Sequence, residues 1–257
     1  MAQKVKNIFL FMCHTFEKET AQEYQKILRA TKGIGETCVL FHFRGNKLPS
    51  KLEKSKRYSF TDESLSHLKY SMFRKSITDG NCHFALLQFF LDNPEYDFYW
   101  LIEYDVRFSG DWRQFFNYFD RSKADLLSCY IRNYADTPNW PWWGLKHPTK
   151  EIPLQERYAS FEPIYRLSNR SLKLLDLLLR DGWRGHQEVV IPTLLYHYGF
   201  RLRDFGGEGK FVKPRDENRF YLYNSTLRWR PLIKRVGKND HKLYHPVKPL
   251  IKSCNKR

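Results

Sequence analysis

The chain has 257 residues, of which 42% are hydrophobic and 17% aromatic, with 44 lysines and arginines against 28 aspartates and glutamates. This composition predicts one folded domain with a substantial core and excludes a disordered chain, and the absence of a fixed repeat excludes a solenoid. The formal net charge of +16 predicts an anionic partner, which nucleic acid, an acidic membrane surface or a phosphorylated substrate would each satisfy.

The N-terminal stretch VKNIFLFMCHTF predicts a β-strand. Its apolar run, from Ile8 to Cys13, is too short for a cleavable signal or a membrane span, so we expect a cytoplasmic protein. The five cysteines stand singly without a CxxC pair, which argues against a zinc ribbon and a disulfide framework. A helix from about 17 to 31, a strand at ETCVLFHF and a lysine-rich polar loop over 45–57 are expected next.

The segment NCHFALLQFFLDN predicts a helix that stops at Asn93-Pro94, and the strand DFYWLIEYDV follows it directly. That buried strand ends in Glu103 and Asp105, which point to the same side because they are two residues apart. Burying unpaired carboxylates is costly, so the pair needs a cation or a polar ligand. The alternative is a strand that runs into a polar loop, with both acids paired to basic residues.

The second half of the chain continues the alternation of strands and helices. A helix over about 112–120 and a strand at ADLLSCYI precede a long loop rich in tryptophan and proline. The strand FEPIYRLS then leads into a helix capped by Ser168 and ended by Gly182, and HQEVVIPTLLYHYG predicts one more helix. This order predicts an α/β fold with a mostly parallel central sheet flanked by helices, in which ligands bind beyond the carboxyl ends of the strands.

With these elements, the chain resembles the GT-A fold glycosyltransferases of bacterial type, which are Rossmann-like in layout. The resemblance rests on GNCHFALLQFFLDNPEYDFYWLIEYDV, FEPIYRLSNRSLKLLDLLL and GHQEVVIPTLLYHYGFRLRDF. It implies a catalytic domain over 1–210, with a basic C-terminal extension over 211–257 packed on it. It also implies transfer of a sugar, of hexosyl type and with inversion, from a nucleotide diphosphate donor to a saccharide or lipid-linked acceptor.

The resemblance assigns donor and metal residues. The family's usual triplet is Asp-X-Asp, whereas this chain has Glu103-Tyr104-Asp105. Glu103 is expected to accept from a ribose hydroxyl, and Asp105 to bind Mn²⁺ or Mg²⁺, hard cations that take carboxylate and diphosphate oxygens together. Gly80 and Asn81, which open the preceding helix, are expected at the nucleotide-sugar.

A late histidine often supplies a further metal ligand in this family, and the segment DHKLYHPVK offers two. We favour His245 over His241, because Pro246 stiffens the backbone after it. Lys248 is then placed to reach a phosphate. The alternative is an exposed His-Pro turn without a function.

The resemblance places the catalytic base in the segment that contains Glu188. Displacement at the anomeric carbon needs a base for the acceptor hydroxyl, and the helix dipole should keep Glu188 ionised. His186 is expected to hold this base or to replace it. The alternative is an acidic residue that only stabilises the start of its helix.

The aromatic loop contains Trp140, Trp142 and Trp143, whose rings suit the C–H faces of sugars. We expect Trp142, Trp143 and Glu162 to bind the acceptor. The alternative is a small satellite hydrophobic cluster.

Two other functions compete with a metal-binding glycosyltransferase of polysaccharide biosynthesis. A basic nucleic-acid-binding protein would explain the charge, but the chain lacks a helix-turn-helix, RNP or zinc pattern, so no nucleic acid is expected. A catalytically inactive glycosyltransferase-like protein would explain the change of aspartate to glutamate in the triplet. The late basic residues also suggest peripheral contact with anionic lipid on the inner face of the membrane.

Overall fold

The computed structural model describes residues 5–45 and 47–248. Its strands alternate with helices along the chain, as the sequence predicts. The strands are β1 (Asn7–Cys13), β2 (Glu36–His42), β3 (Arg57–Phe60), β4 (Phe98–Glu103), β5 (Arg107–Phe108), β6 (Leu126–Asn133), β7 (Leu145–Lys146), β8 (Tyr158–Ser168), β9 (Arg184–Gly185), β10 (Leu202–Asp204) and β11 (Leu243–Tyr244). The helices are α1 (Lys18–Thr31), α2 (His83–Asp92), α3 (Trp112–Asp120), α4 (Asn169–Arg180) and α5 (Gln187–His197).

The main sheet contains seven strands within the described residues, in the order β10-β6-β8-β4-β1-β2-β3. Neighbouring strands are parallel except around β8, which runs antiparallel to both β4 and β6. The predicted α/β class with a mostly parallel sheet is confirmed, and β4 lies at the centre of the sheet. Strand β3 was not predicted, because Phe60 is the only one of its four side chains that is buried.

Helices cover both faces of the sheet. Helices α2, α4 and α5 pack on one face, where Leu101 of β4 joins their apolar side chains. Helices α1 and α3 pack on the other, where Trp100 of β4 contacts Phe116. Successive residues of β4 are thus buried in the cores on opposite faces of the sheet. This explains why the strand is an almost uninterrupted apolar run.

Local sequence signals set several helix ends. Ser168 accepts a hydrogen bond from the N–H of Ser171 and caps α4, as predicted. Asp111 caps α3 in the same way. None of the described helices is both long enough and apolar enough to cross a membrane.

The segment after β10 lies on the face covered by α1 and α3. Phe220, Tyr221 and Leu227 are buried in that core, and β11 pairs antiparallel with β5. This short ladder brings the C-terminal part of the chain to the carboxyl end of β4. The domain boundary at residue 210 stays a prediction, and residues 249–257 lie outside the described residues.

Candidate active site

Two acidic side chains end strand β4, at the carboxyl edge of the sheet. Glu103 is the last residue of the strand and pairs in register with Met12 of β1. The N–H of Val106 donates to the carbonyl of Glu103 at 3.0 Å, which closes a tight turn. Asp105 lies inside that turn rather than on the strand, so the turn, and not strand periodicity alone, directs its carboxylate.

The C-terminal segment brings His245 to the same point. His245 follows β11 directly, and the N–H of Val247 donates to the carbonyl of Asp105 at 2.8 Å. The Nε2 of His245 lies 3.5 Å from Oδ1 of Asp105 and 3.6 Å from Oε2 of Glu103. We call these three residues the acid–histidine cluster. His241, the other histidine of the segment, is exposed and lies outside it.

The three groups of the cluster shift one another's protonation. Burial lowers the pKa of His245, but hydrogen bonds and charge from Asp105 and Glu103 outweigh burial and raise the pKa to about 10. Burial raises the pKa of Glu103, and the nearby charge of Asp105 raises it further. Burial also acts to raise the pKa of Asp105, but the contact with His245 leaves this pKa below its usual value.

The residues of the cluster fit a divalent metal ion. One ligand atom from each lies within 4.8 Å of the other two. The Oδ1 of Asp105 is buried, and its contact with Nε2 of His245 is long at 3.5 Å, so a bound cation would satisfy this oxygen better. The Nδ1–H of His245 donates to the carbonyl of Arg228 at 2.9 Å, which turns Nε2 toward the carboxylates. Two carboxylates and an imidazole suit Mn²⁺ better than Mg²⁺.

His186 and Glu188 lie at the start of helix α5. The Nδ1 of His186 accepts a hydrogen bond from the N–H of Glu188 at 3.3 Å and so caps the helix. Burial and the charge of Arg74 lower the pKa of His186 to about 4. A neutral ring whose Nδ1 is already an acceptor is a weak candidate for a base, so His186 is better placed to hold Glu188 than to replace it.

Glu188 differs from the sequence-based expectation in its charge. Burial raises its pKa to about 7, although the positive charge of Arg132 acts to lower it. The helix dipole was expected to keep this carboxylate ionised. Desolvation is the larger effect because the side chain is mostly buried, and the group titrates near neutral pH instead.

Glu162, on strand β8, lies beside Glu188 of helix α5. Its backbone N–H donates to Oε1 of Glu188 at 3.4 Å, and its own Oε1 accepts from the hydroxyl of Ser160 at 2.7 Å. Burial holds its pKa well above the usual value, and the charges of Glu188 and Glu103 raise it further. Its predicted contact with the acceptor stays a prediction.

Besides Glu103 and Asp105, three residues were predicted at the donor, and they occupy different positions. The side chain of Asn81 is fully buried, and it bonds the backbone of Phe73, Arg74 and Ser76. Its amide is therefore engaged in folding this loop, which corrects the expectation of a direct donor contact.

Gly80 has a φ of +88°, and a Cβ there would overlap the ring of His186. Its carbonyl accepts from the N–H of Gln187 at 2.8 Å, so Gly80 supports the start of α5. Lys248 is exposed, and its charge acts to lower the pKa of Glu103 and Asp105; its contact with a phosphate stays a prediction.

The aromatic loop divides into a buried and a half-buried part. Trp143 is 4% exposed and packs with Ala159 and Val189, and its Nε1–H donates to the carbonyl of Thr137 at 2.9 Å. Its faces are inaccessible to an acceptor, so the satellite hydrophobic cluster is the correct interpretation for Trp143. Trp142 is half-buried and stacks on His186 at a centroid separation of 6.0 Å.

Sequence reasoning missed Arg132, at the end of β6. Its side chain is buried at 5% exposure, and its charge acts on Glu188. The available signal was the one used for Glu103, a charged residue at the point where a buried strand becomes a loop. The missing information was that β6 and α5 converge there.

Comparison with known proteins gives structural similarity only. No family model matches the chain, and no curated protein matches it. A galactosyltransferase, LgtC, in complex with donor and acceptor sugar analogs, is 12% identical, with 86% of this chain and 77% of that chain covered and a TM-score of 0.46.

Two further solved structures show similarity of the same degree. Glucosyl-3-phosphoglycerate synthase from Mycobacterium tuberculosis, in complex with Mn²⁺, uridine diphosphate and glucosyl-3-phosphoglycerate, is 14% identical. The match covers 84% of this chain and 75% of that chain, with a TM-score of 0.45. A putative glucose-1-phosphate thymidylyltransferase from Bacillus anthracis is 12% identical, with 79% and 88% covered and a TM-score of 0.45. These values describe likeness in overall layout, and the chemistry of the site is argued from its own residues.

Proposed function

We propose that the protein is a glycosyltransferase that moves a hexose from a nucleotide diphosphate donor to a hydroxyl of a saccharide or lipid-linked acceptor, with inversion. One observation carries the proposal. The acid–histidine cluster and a separate buried carboxylate, Glu188, meet at the carboxyl edge of a mostly parallel sheet, where such folds bind ligands.

The acid–histidine cluster is the donor side of the proposed site. Glu103, Asp105 and His245 would hold Mn²⁺ or Mg²⁺, which when bound supplies positive charge against the charge that develops on the leaving diphosphate. Lys248 adds a second positive charge next to the same carboxylates. Glu103 reaches the cluster despite its longer side chain, so the replacement of aspartate by glutamate does not by itself argue for an inactive protein.

Glu188 is the proposed general base. The acceptor oxygen forms a bond to the anomeric carbon while the bond from that carbon to the diphosphate oxygen breaks, and the electron pair leaves with the diphosphate. The hydroxyl proton passes to the carboxylate of Glu188. A carboxyl group with a pKa near the working pH suits this task, since it is sufficiently ionised and still basic enough to accept the proton.

The nucleic-acid alternative has less support. The site presents the carboxyl groups of Glu103, Asp105, Glu162 and Glu188 at one edge of the sheet. These mostly buried carboxyl groups offer no basic surface to a polyanion, whereas a single metal-bound diphosphate suits the acid–histidine cluster.

A thermal-shift panel tests the proposal. UDP-, GDP-, CMP- and ADP-sugars are added to the full chain with and without Mn²⁺, and the shifts are compared with those from the sugar-free nucleotides. We expect one nucleotide class to stabilise the protein, more strongly with Mn²⁺. Release of the matching nucleoside diphosphate in the presence of acceptors then establishes glycosyl transfer, whereas transfer from a CMP-sugar, which releases CMP, would contradict a diphosphate donor. Stabilisation by DNA alone, or release of pyrophosphate in place of nucleoside diphosphate, would contradict it.

A further inference from the structure

A cavity of about 400 Å³ lies at the end of strand β6, and one of its lining residues, Arg132, acts electrostatically on Glu188. Its walls include Tyr130 and Arg132 from β6, Trp140 from the aromatic loop and Tyr223 from the C-terminal segment. The cavity is distinct from the acid–histidine cluster, which contributes none of its lining residues. Its size and its mixture of aromatic and polar groups are typical of a small-molecule site.

A bulge in β6 shapes this cavity. The register between β6 and β8 shifts between Cys129 and Arg132, and Tyr130 has a φ of +48°, which is uncommon for a residue other than glycine. The N–H of Tyr130 donates to the hydroxyl of Tyr221, which in turn donates to Asp204 at 2.8 Å. This buried network holds the strained residue in place, an arrangement that is common at functional sites.

Aromatic rings form the walls. Tyr130 and Tyr223 are stacked with their centroids 3.4 Å apart and their planes at 12°. The guanidinium of Arg132 lies 4.5 Å from the ring centroid of Tyr130 and 4.9 Å from that of Trp140. These contacts cover the faces of Tyr130, so an apolar platform for the C–H face of a sugar would come from Trp140 or Tyr223, beside hydrogen-bonding groups for the hydroxyl edges.

Arg132 has no acidic partner in contact. It donates from Nε to the hydroxyl of Thr137 at 2.9 Å and from one terminal nitrogen to the carbonyl of Tyr130 at 3.1 Å. Its other terminal nitrogen makes no hydrogen bond, and no carboxylate lies within 4.0 Å of the guanidinium, in the part of the chain that the structure describes. A buried charge normally has a paired anion, and a guanidinium fork matches a carboxylate or phosphate group.

Side-chain contacts link the walls of the cavity to the proposed reacting groups on two sides. Trp140 lies edge-on to the ring of His186 at 5.9 Å, next to Glu188. Phe161 contacts both Tyr223, at 6.5 Å, and His245, at 5.3 Å. A molecule bound in the cavity would therefore lie within a few side-chain contacts of both the proposed base and the proposed donor side.

We propose that this cavity is the acceptor subsite and that its acceptor is a saccharide with an anionic group, a carboxylate or a phosphate, bound by Arg132. The assignment of the cavity to an acceptor rests on the proposed function. The preference for an anionic saccharide rests on the cavity and on Arg132 alone, so the two can fail separately.

A matched set of small saccharides tests the inference by direct binding to the full chain. The probes are methyl β-glucoside, methyl β-glucuronide and glucose 6-phosphate, and their affinities are measured by ligand-observed NMR. We expect at least one anionic probe to bind about tenfold more tightly than the neutral glucoside, as for one charge-assisted bidentate contact. The better of the two anions identifies the acidic group. Equal affinity for all three probes would overturn the inference.

Variants then assign the preference to Arg132. Arg132→Gln should bind all three probes equally. Arg132→Lys, which keeps the charge, should retain part of the preference and covers the case in which the glutamine variant folds poorly. Arg157→Gln is the matched control, since Arg157, like Arg132, donates two hydrogen bonds through Nε and one terminal nitrogen, here to the carbonyls of Ile152 and Trp143, but lies outside the cavity. It should keep the full preference.

Binding of UDP with Mn²⁺ separates the acceptor from the donor. Arg132→Gln should bind UDP as the unaltered protein does, because the donor residues lie on β4 and the C-terminal segment. A parallel loss of UDP affinity would show that Arg132 serves the diphosphate, and would overturn the assignment to the acceptor. If no nucleotide binds while the anionic preference and its dependence on Arg132 persist, the proposed function fails and the anion-binding subsite stands.

Discussion

The two sides of the sheet's carboxyl edge hold their carboxylates in opposite ways. Glu103 and Asp105 face the imidazole of His245 within 3.6 Å. Glu188 has no lysine or arginine nitrogen within 4.0 Å in the described ranges, and the nearby His186, with a pKa of about 4, is neutral. The pKa of Asp105 is accordingly lowered, although burial raises the pKa of Glu103, whereas the pKa of Glu188 is raised to about 7.

This difference assigns the two sides different chemistry. A carboxylate kept ionised by a neighbouring cation can hold a metal or a phosphate partner over a wide range of pH. A carboxyl group that titrates near neutral pH can exchange a proton during turnover. The same residue type is therefore suited to electrostatic binding on one side of the edge and to proton transfer on the other. The predictions below, from the largest expected effect to the smallest, test whether the two sides are separable.

The largest effect is expected at Asp105. Asp105→Asn removes a ligand charge from the acid–histidine cluster, so we expect donor turnover to fall by ~10³ or more with little change in melting temperature. Asp120→Asn, at the exposed end of α3, is the control and should keep the donor turnover and melting temperature of the unaltered protein. Activity within about threefold of the unaltered protein, less than ~1 kcal/mol in the barrier, would remove Asp105 from the reaction centre.

Glu188→Gln should slow transfer by ~10² to 10⁴ and leave donor affinity unchanged, because it removes the base but not the donor residues. Transfer rate, donor affinity and melting temperature are measured on one preparation. Near-normal turnover would leave Glu188 as a stabiliser of its helix and would return attention to His186. A product with retained anomeric configuration, detected by NMR, would also contradict this role, since the leaving diphosphate can then accept the proton.

The pH dependence of transfer should follow Glu188. Its raised pKa means that the ionised, active form is lost as the pH falls below about 7. We therefore expect the rate to decrease about tenfold per pH unit below that value and to level off above it. This decrease in rate at low pH should be absent from the Glu188→Gln variant. If the decrease persists in that variant, another group is responsible for the titration.

His245→Gln should weaken Mn²⁺ binding by about 10- to 100-fold, because one of three ligands loses its imidazole nitrogen. Isothermal titration with Mn²⁺ alone measures this directly. His241→Gln, four residues earlier, is the matched control. Equal Mn²⁺ affinities for the two variants would place the metal away from the cluster.

The smallest effect concerns stability. A raised folded-state pKa for Glu188 means that ionisation opposes folding, so the cost is absent below the unfolded pKa of about 4.3 and complete above about 7. Glu188→Gln removes that cost and should raise the free energy of unfolding by ~1 to 3 kcal/mol at pH 8, with little change at pH 4. Chemical denaturation at both pH values measures the difference. A variant destabilised at pH 8 would mean that the carboxylate is paired.

The sequence predicted the fold well because its signals are local. The apolar run of β4, the cap at Ser168 and the proline after α2 each act within a few residues. The convergence of Glu103 and Asp105 at the sheet edge was predictable for the same reason. The role of His245 could be proposed only through the family resemblance, since the β11–β5 ladder joins segments more than 130 residues apart.

The remaining features of the site could not be predicted, because they depend on how deeply each side chain is buried, which the sequence does not specify residue by residue. The raised pKa of Glu188 was not predicted, because the dipole of a helix is a smaller effect than desolvation by the elements packed around the side chain. Asn81 and Trp143 were expected to bind ligands, but each is closed off by neighbours far along the chain or by its own loop. Arg132 carried a local signal, a charge at the end of a buried strand, but the convergence of β6 and α5 that places it near Glu188 is not readable from the sequence.

The most direct test is the position of the metal. Crystals of the full chain grown with UDP and Mn²⁺ are measured at the manganese absorption edge. The account predicts an anomalous peak bound by Asp105 and His245 and by the diphosphate, with Glu188 outside the coordination sphere. A nucleotide bound elsewhere on the chain, or manganese with no ligand from the acid–histidine cluster, would contradict it.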